Sequence, residues 1–404
     1  MGTKLLRMAF LSIHSSPLGQ MGTKDTGGMS TYLLGLSRAL GEEGHSVDIF
    51  SRGSGKKGSF VQDISPGVRL ITLNDGLDPL AKEDLFWHTE NIAALLLDFT
   101  EVSRSEYDLI FSHYWLSGCV GRVLSNKMKL PHLVMFHTLG QAKNENCPAE
   151  NEPAQRLLEE EALAFGSDLV VTAAHSEKER VARYYKLDPE KIAVIPCGID
   201  RNLFKPVARK SARDKLALSG EKIILSVGRI EPVKGLDLLV RAAALLPAED
   251  KIRLVIAGGD SSGESRVAEL KELAAGAGFS GMLTFTGSID HNRLPLYYSA
   301  ANVTVISSAY ESFGMVALES PACGTPVVAG PVGIIPELLD HDHPDTLGCL
   351  VGIRDPADWA AAIRKTYMRS DQISATDITA RLAPYNWDAS AEKLIDLVRK
   401  KFNL

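Results

Sequence analysis

Two glutamates eight residues apart, in Glu311–Ser–Phe–Gly–Met–Val–Ala–Leu–Glu319, carry the densest chemistry in this sequence. They bracket a Phe–Gly turn and the start of an expected helix, and they follow an apolar strand, Asn302 to Ser307. A strand–turn–helix unit of this kind sets backbone N–H groups and carboxylates together at the carboxyl edge of a sheet, where open α/β folds bind ligands. The N–H groups suit anionic phosphates. The carboxylates, which repel a diphosphate, suit uncharged hydroxyls. A site equipped for both fits a nucleotide-activated sugar.

Upstream, Gly228–Arg229–Ile–Glu–Pro–Val–Lys234–Gly235 follows the first strand of the second half. Two cations at the carboxyl end of a central strand can neutralise the charge growing on a departing nucleoside diphosphate without a divalent ion. Near the N-terminus, the first strand runs into His14–Ser–Ser–Pro–Leu–Gly and then Thr26–Gly27–Gly28–Met–Ser30, where a helical pattern begins. Paired glycines there permit close approach of a phosphate or a sugar to the backbone. Gly53–Ser–Gly55–Lys–Lys–Gly58 fits a dinucleotide-binding spacing, but Ser59–Gly67 contains Pro66 and no helical period. Without a helix to receive the pyrophosphate, it reads as a flexible surface loop. Asp340–His–Asp342–His343 reads as a solvated loop, and no metal is assigned to it.

The elements that position these residues alternate between short apolar runs and longer helical periods. Strands are expected near Met8–Ile13, Ser46–Ser51, Val68–Leu73, Leu109–Ser112, His132–Phe136, Leu169–Thr172 and Ile192–Ile195, with helices near Thr31–Glu43, Glu83–Glu101, Gly118–Asn126, Ala154–Phe165 and Ser176–Tyr185. The pattern restarts with strands near Lys222–Val227, Arg253–Ala257, Leu283–Thr286, Val303–Ile306 and Pro326–Val328. Alternation of this type predicts an α/β protein with two doubly wound, Rossmann-like domains built on parallel sheets. The boundary falls in the polar stretch Gly198–Ser219.

A length of 404 residues suits two domains, and 45% hydrophobic with 23% charged residues describes a globular chain. The net charge of −6 argues against a nucleic-acid partner. Five cysteines without a CxxC pair suggest reduced thiols and a cytoplasmic setting. No signal peptide and no transmembrane segment is recognisable. The sequence leaves homo-oligomerisation open.

At these residues the chain resembles a glycosyltransferase of the retaining, two-domain GT-B class, family 4. The resemblance rests on Gly27–Gly28, Pro196–Cys–Gly–Ile–Asp200 with Phe204–Lys–Pro206, Gly228–Arg229 with Lys234–Gly235, and the Glu311/Glu319 segment, in order along nearly the whole chain. It implies a GT-B fold: an acceptor-binding domain of residues 1–200 plus 387–404, and a nucleotide-sugar-binding domain of residues 201–386. It also implies a UDP-sugar donor, no required cofactor and no metal. Arg229 and Lys234 would grip the diphosphate together with the Gly27–Gly28 backbone. Glu319 would hold the ribose and Glu311 the transferred sugar, with backbone contacts from Phe313, Gly314, Met315 and Val316, and with Arg293 near the nucleobase. One departure stands out: where the family commonly has Gly–Gly, this chain has Val332–Gly333–Ile334.

A narrower resemblance lies in His113–Tyr114–Trp–Leu–Ser–Gly118 and Phe136–His137–Thr138–Leu–Gly140–Gln–Ala–Lys143–Asn144. These segments are similar to those of the inositol-phosphate N-acetylglucosaminyltransferases of mycothiol synthesis and of the sucrose-phosphate synthases. That likeness implies a small phosphorylated acceptor, an inositol phosphate or a sugar phosphate, whose phosphate would be held by Lys82, Tyr114, Thr138 and Arg156. His137 would contact the sugar near the reacting centre. The expected reaction transfers a hexose or N-acetylhexosamine with retention, and the leaving phosphate oxygen takes the acceptor proton. A covalent glycosyl–enzyme intermediate stays open, as do a lipid or polysaccharide acceptor, nucleotide-sugar epimerisation, and a nucleotide-sugar sensor without catalysis.

Overall fold

The structure, a computed structural model, describes residues 4–19, 27–76, 80, 82, 84–147, 151–218, 222–259, 264–279, 281–339, 347–370 and 375–404. Thr26 and the Asp340–His343 loop lie outside the described residues. The chain divides into two compact units. One holds the N-terminal strand, Gly28–Gly198 and Trp387–Leu404; the other holds Ile199–Asn386.

The first unit is built on an eight-stranded sheet: β1 (Arg7–Leu11), β2 (Ser46–Gly53), β3 (Gly58–Ser65), β4 (Val68–Asn74), β5 (Leu109–His113), β6 (His132–Met135), β7 (Leu169–Thr172) and β8 (Ile192–Val194). Their order across the sheet is β3-β4-β2-β1-β5-β6-β7-β8. All pairs are parallel except β3–β4. Met8 to Leu11 and Leu109 to His113 are buried throughout, as strands covered on both faces require. The buried carboxylate on β2, Asp48, survives burial because Arg69 donates to both its oxygens at 2.8 and 2.7 Å, and the Tyr107 hydroxyl adds a third bond at 2.7 Å.

Two sequence readings need correction. The sequence reading places no strand in Ser59–Gly67, whereas Gly58–Ser65 forms one, antiparallel to β4, and the Gly53–Gly58 loop joins β2 to it. Its first six residues are exposed, so β3 is held by the backbone ladder and leaves no apolar signal. The helix expected over Glu83–Glu101 is broken into a 3₁₀ turn, Asp84–His88, and an α-helix, Thr89–Ser103.

The second unit has a six-stranded parallel sheet: β9 (Lys222–Val227), β10 (Ile252–Ala257), β11 (Met282–Phe285), β12 (Val303–Ile306), β13 (Val327–Ala329) and β14 (Gly348–Leu350), ordered β11-β10-β9-β12-β13-β14. Its core gathers Leu239, Leu254, Val303, Trp359 and Ile363, all fully buried. In each sheet the strand order reverses once, between β1 and β5 and between β9 and β12. Loops leaving the carboxyl ends of those strands splay apart and make a crevice, the usual ligand position in an open α/β sheet.

The last helix, Trp387–Phe402, packs in the first unit against the helix Gly28–Glu42. Its anchor is Trp387, whose ring centroid lies 5.8 Å from that of Tyr32. Ser390 Oγ donates to the Pro196 carbonyl at 2.8 Å, and Arg399 donates to the Lys4 carbonyl at 2.9 Å. Gly35 makes the approach possible: a Cβ placed there would stand 2.2 Å from the Trp387 indole. Gly35→Leu should therefore destabilise the first unit by about 1–3 kcal/mol. Gly166→Ala, where an added Cβ meets nothing within 4 Å, should change stability by less than about 0.5 kcal/mol in the same denaturant titration.

Candidate functional site

In the second unit, Arg229 and Lys234 leave β9 on one side of the strand-order reversal, and the 307–314 loop leaves β12 on the other. Lys234 ends a 3₁₀ turn, Pro232–Lys234, and its Nζ lies 2.6 Å from Glu311 Oε1. The Ser308 hydroxyl donates to the same oxygen at 2.7 Å. Backbone bonds hold the loops together: the Ser307 hydroxyl donates to the Lys234 carbonyl at 2.9 Å, and the Ala309 N–H donates to Val233 at 2.8 Å. Gly235 is needed for this approach, since its φ is +63° and a Cβ would stand 2.2 Å from the Ser307 carbonyl oxygen. Arg354 donates to the Ser307 and Ser308 carbonyls at 2.9 and 3.1 Å.

Arg229 pairs with Glu231 at 2.8 Å and keeps over a third of its side chain exposed. It lines a pocket with Ser226, Gly228, Lys234, Ser307 and Ser308. Glu319 is buried on the helix Val316–Ala322, where the Tyr298 hydroxyl donates to one carboxylate oxygen at 2.6 Å and His291 lies 3.7 Å from the other. Burial lowers the His291 pKa, but Glu319 outweighs it, and the net shift is upward.

Phe313 is buried, and its carbonyl accepts the Ile334 N–H at 2.8 Å. Gly333, the single glycine where a pair is common, has φ +56°, and its Cβ would stand 2.0 Å from that same carbonyl oxygen. Val332–Gly333–Ile334 thus braces the Phe313 turn. Gly314 (φ +93°) and Met315 lead into the helix that Val316 opens. The Ala317 N–H donates to the Gly314 carbonyl at 2.9 Å and the Leu318 N–H to the Met315 carbonyl at 2.9 Å, which closes the first turn on this loop. Arg293 is exposed at the end of the 3₁₀ turn His291–Arg293. Gly27 precedes the helix Gly28–Glu42, and an added Cβ on Gly27 or Gly28 would meet nothing within 4 Å, so packing alone does not demand these glycines.

In the first unit, Lys82, Tyr114, Thr138 and Arg156 come together around the carboxyl ends of β5 and β6. The Tyr114 ring lies under the Lys82 ammonium at 4.4 Å and the Arg156 guanidinium at 4.9 Å. Arg156 donates to the Thr138 carbonyl at 2.7 Å and to its hydroxyl at 3.0 Å. It is buried, and two carboxylates share its charge: Glu160 at 2.7 Å and Glu152 at 2.8 Å. Burial disfavours the cation, yet Glu160, Tyr114 and Glu152 raise its pKa above the ordinary value. Tyr114 has φ +78° and ψ 155°, a region close to glycine-only, and His137 has φ +60°. Two non-glycine residues in sparsely populated backbone at adjacent strand ends mark a position that the surrounding structure over-determines.

His137 Nε2 and His113 Nδ1 are 2.9 Å apart. Burial pushes His137 down to about 3 and lowers His113 well below its ordinary value, so the pair is neutral near pH 7. His14, a residue given no role in the sequence reading, stacks on Tyr114 with centroids 4.3 Å apart. Burial, then Lys82, His137 and Arg156, keep it neutral, and its Nδ1 is buried with no hydrogen-bond partner. A histidine just beyond the first apolar strand was the available signal. Lys143 and Glu152 were overlooked because their pairing joins a helix to a loop.

The arrangement offers two exposed-edge cations and two glutamates in one unit, and a cluster of cations, hydroxyls and neutral imidazoles in the other. Among the described residues, no group of three His, Cys, Asp or Glu side chains could hold a metal ion, and no helix is long and apolar enough to cross a membrane.

Residues 26–203 match the family model Glycosyltransferase Family 4, and residues 208–380 match Glycosyl transferases group 1. A D-inositol 3-phosphate glycosyltransferase of Geodermatophilus obscurus is 36% identical over 400 residues, covering 96% of this chain and 88% of that protein. The enzyme of the same name from Xylanimonas cellulosilytica is also 36% identical, covering 98% and 97%. The solved sucrose-phosphate synthase of Thermosynechococcus elongatus superposes with a TM-score of 0.86 at 32% identity, covering 98% of this chain and 99% of that one. Anabaena HepE, solved with UDP and glucose, shares the fold at a TM-score of 0.72 and 20% identity, covering 98% and 100%. The chain belongs to the family 4 glycosyltransferases of the GT-B fold, with a group 1 glycosyltransferase domain as its second half.

Proposed function

We propose that this enzyme transfers a hexose or N-acetylhexosamine from a UDP-sugar to a hydroxyl of a small phosphorylated acceptor, an inositol phosphate or a sugar phosphate, with retention at the anomeric carbon. The observation that carries the donor half is the Lys234–Glu311 pair at the strand-order reversal of the second unit. Lys234 and Arg229 stabilise the charge that builds on the UDP phosphates as the anomeric bond breaks. Glu311 holds hydroxyls of the sugar and Glu319 those of the ribose, with Phe313–Val316 backbone and Arg293 completing the nucleotide subsite. The leaving phosphate oxygen takes the proton of the attacking hydroxyl, so no side chain serves as nucleophile. This chemistry needs no metal.

The acceptor half rests on the grouping of Lys82, Tyr114, Thr138 and Arg156. Cations and hydroxyls converging on one aromatic ring suit a phosphate dianion better than a neutral sugar or a lipid tail. His137 stays neutral and positions the sugar and acceptor hydroxyls instead of transferring protons. The names of the Geodermatophilus and Xylanimonas relatives and of the Thermosynechococcus synthase all specify a phosphorylated small molecule, which supports the same reading.

Lys234→Ala should lower kcat by about 10²–10³-fold while the fold is retained, and chelators should leave the wild-type rate unchanged. Recovery of activity only on adding a divalent ion would contradict the charge argument. UDP-glucose and UDP-N-acetylglucosamine are then assayed against inositol phosphate, fructose 6-phosphate and their unphosphorylated analogues. The phosphorylated acceptors should turn over at least about tenfold better, and Lys82→Ala should erase most of that preference without weakening UDP binding. Arg156→Ala is a poorer probe, because it strands the fully buried Glu160 carboxylate and should destabilise the domain by about 3–5 kcal/mol. Equal rates with and without phosphate would reject the acceptor reading.

A further inference from the structure

Arg156 has two carboxylate partners of different character. Glu160 is fully buried and committed: it accepts from Arg156 at 2.7 Å, from the Gly140 N–H at 2.9 Å and from the Tyr185 hydroxyl at 2.9 Å. Those bonds tie together three helices, Gly140–Asn146, Ala154–Gly166 and His175–Tyr185, so Glu160 is structural. Glu152 is different. It lies just before the helix Ala154–Gly166 and keeps 14% of its side chain exposed. One oxygen accepts from Arg156 Nη1 at 2.8 Å, and the other pairs with the Lys143 ammonium. Its backbone N–H donates to Asn144 Oδ1 at 2.8 Å, which fixes the carboxylate beside the helix that carries Lys143.

A carboxylate whose two oxygens bridge a guanidinium and an ammonium occupies the coordination that two oxygens of a phosphate would take. Arg156 has little else to offer an incoming anion. Nε is given to Glu160, and both described bonds of Nη2 go to Thr138, so Nη1 is the group that Glu152 covers. Burial tends to raise the Glu152 pKa, but Arg156 and Lys143 overcome it and hold the group below the usual carboxylate range. The side chain is therefore an anion whenever the enzyme is near neutral pH.

We propose that Glu152, bridging Arg156 and Lys143, is an internal anion that occupies the acceptor-phosphate site until the acceptor phosphate displaces it. This rests on the phosphorylated-acceptor reading above and adds a selecting residue to it. A dianionic phosphate and the Glu152 carboxylate cannot share two cations, because like charges at that separation repel. Binding therefore runs with a swing of Glu152 toward solvent, and the apparent affinity is reduced by the fraction of molecules in which Glu152 sits in place. A neutral acceptor leaves the bridge intact and gains nothing from Lys143. The bridge keeps Arg156 and Lys143 ordered and neutralised in the empty enzyme.

The test compares wild-type, Glu152→Gln, Lys143→Ala and Lys143→Arg as full-length enzymes, with inorganic phosphate as the probe. Binding is read from phosphate-dependent protection against thermal unfolding and from competition with the phosphorylated acceptor. Glu152→Gln should bind phosphate about tenfold more tightly and lower KM for the phosphorylated acceptor to match, with kcat and the KM for UDP-sugar unchanged. Lys143→Ala should weaken phosphate binding about tenfold, and Lys143→Arg should restore it. If wild-type prefers phosphorylated acceptors but Glu152→Gln binds phosphate no better, or worse, Glu152 is a brace and the inference falls alone. If wild-type neither binds phosphate nor prefers phosphorylated acceptors, the acceptor reading falls and takes this inference with it. Should Glu152→Gln not fold, the Lys143 pair still decides: equal phosphate affinity in wild-type and Lys143→Ala overturns the proposal.

Discussion

An ion pair between residues 77 positions apart, Lys234 and Glu311, fixes the geometry of the second domain's crevice. The chain reaches the two from opposite sides of a strand-order reversal, and no local preference would bring them together. The pair persists because the surrounding bonds leave few alternatives: Ser308 supports the glutamate, Ser307 holds the lysine's own carbonyl, and Arg354 ties down the loop. At side-chain exposures of 21% and 17%, both charges are partly desolvated, and each offsets that cost for the other. In the donor complex proposed above, a diphosphate would take the place of Glu311 beside Lys234 and leave the carboxylate to neutral hydroxyls. One pair thus orders the crevice and, on that proposal, supplies a ligand to each half of the donor.

The same logic is repeated in the first domain with different residues. Arg156 is buried between Glu160 and Glu152, and the Tyr114 ring takes up the remaining face of its guanidinium. Each domain holds a basic residue, Lys234 or Arg156, against a glutamate. In neither case does the cation wait bare in a low-dielectric pocket, where its charge would be costly. The backbone at Tyr114 and His137 carries the accompanying strain, tolerated because the neighbouring strands leave those residues no alternative. The histidines beside them, held neutral by burial, add no charge to the cluster.

Much of this was legible in the sequence, and the misses have physical causes. β1, β9 and β12 announce themselves because strands buried on both faces must be continuous apolar runs. The placement of the residues at their ends was legible for the same reason: a charged or glycine residue directly after such a run lands at the carboxyl edge of a sheet. β3 was not legible. Its outward-facing residues include Phe60 at 63% exposure, and a strand held only by its ladder leaves no burial pattern to read. Gly53–Gly58, refused as a phosphate loop and read as a surface loop, is the exposed link between β2 and β3. The pairing of Glu152 with Lys143 and the stacking of His14 on Tyr114 depend on tertiary geometry between segments with no shared period. The missing second glycine at Val332–Gly333–Ile334 illustrates the reverse case: the one glycine retained is the one the Phe313 carbonyl requires.

The account stands or falls on where the diphosphate sits. The most direct measurement is a crystal structure of the enzyme with UDP bound. Phosphate oxygens should lie within about 3 Å of Lys234 Nζ and of the Arg229 guanidinium, with the Lys234–Glu311 contact opened and Glu319 on the ribose. A diphosphate bound away from those two cations, with the Lys234–Glu311 pair still closed, would contradict it.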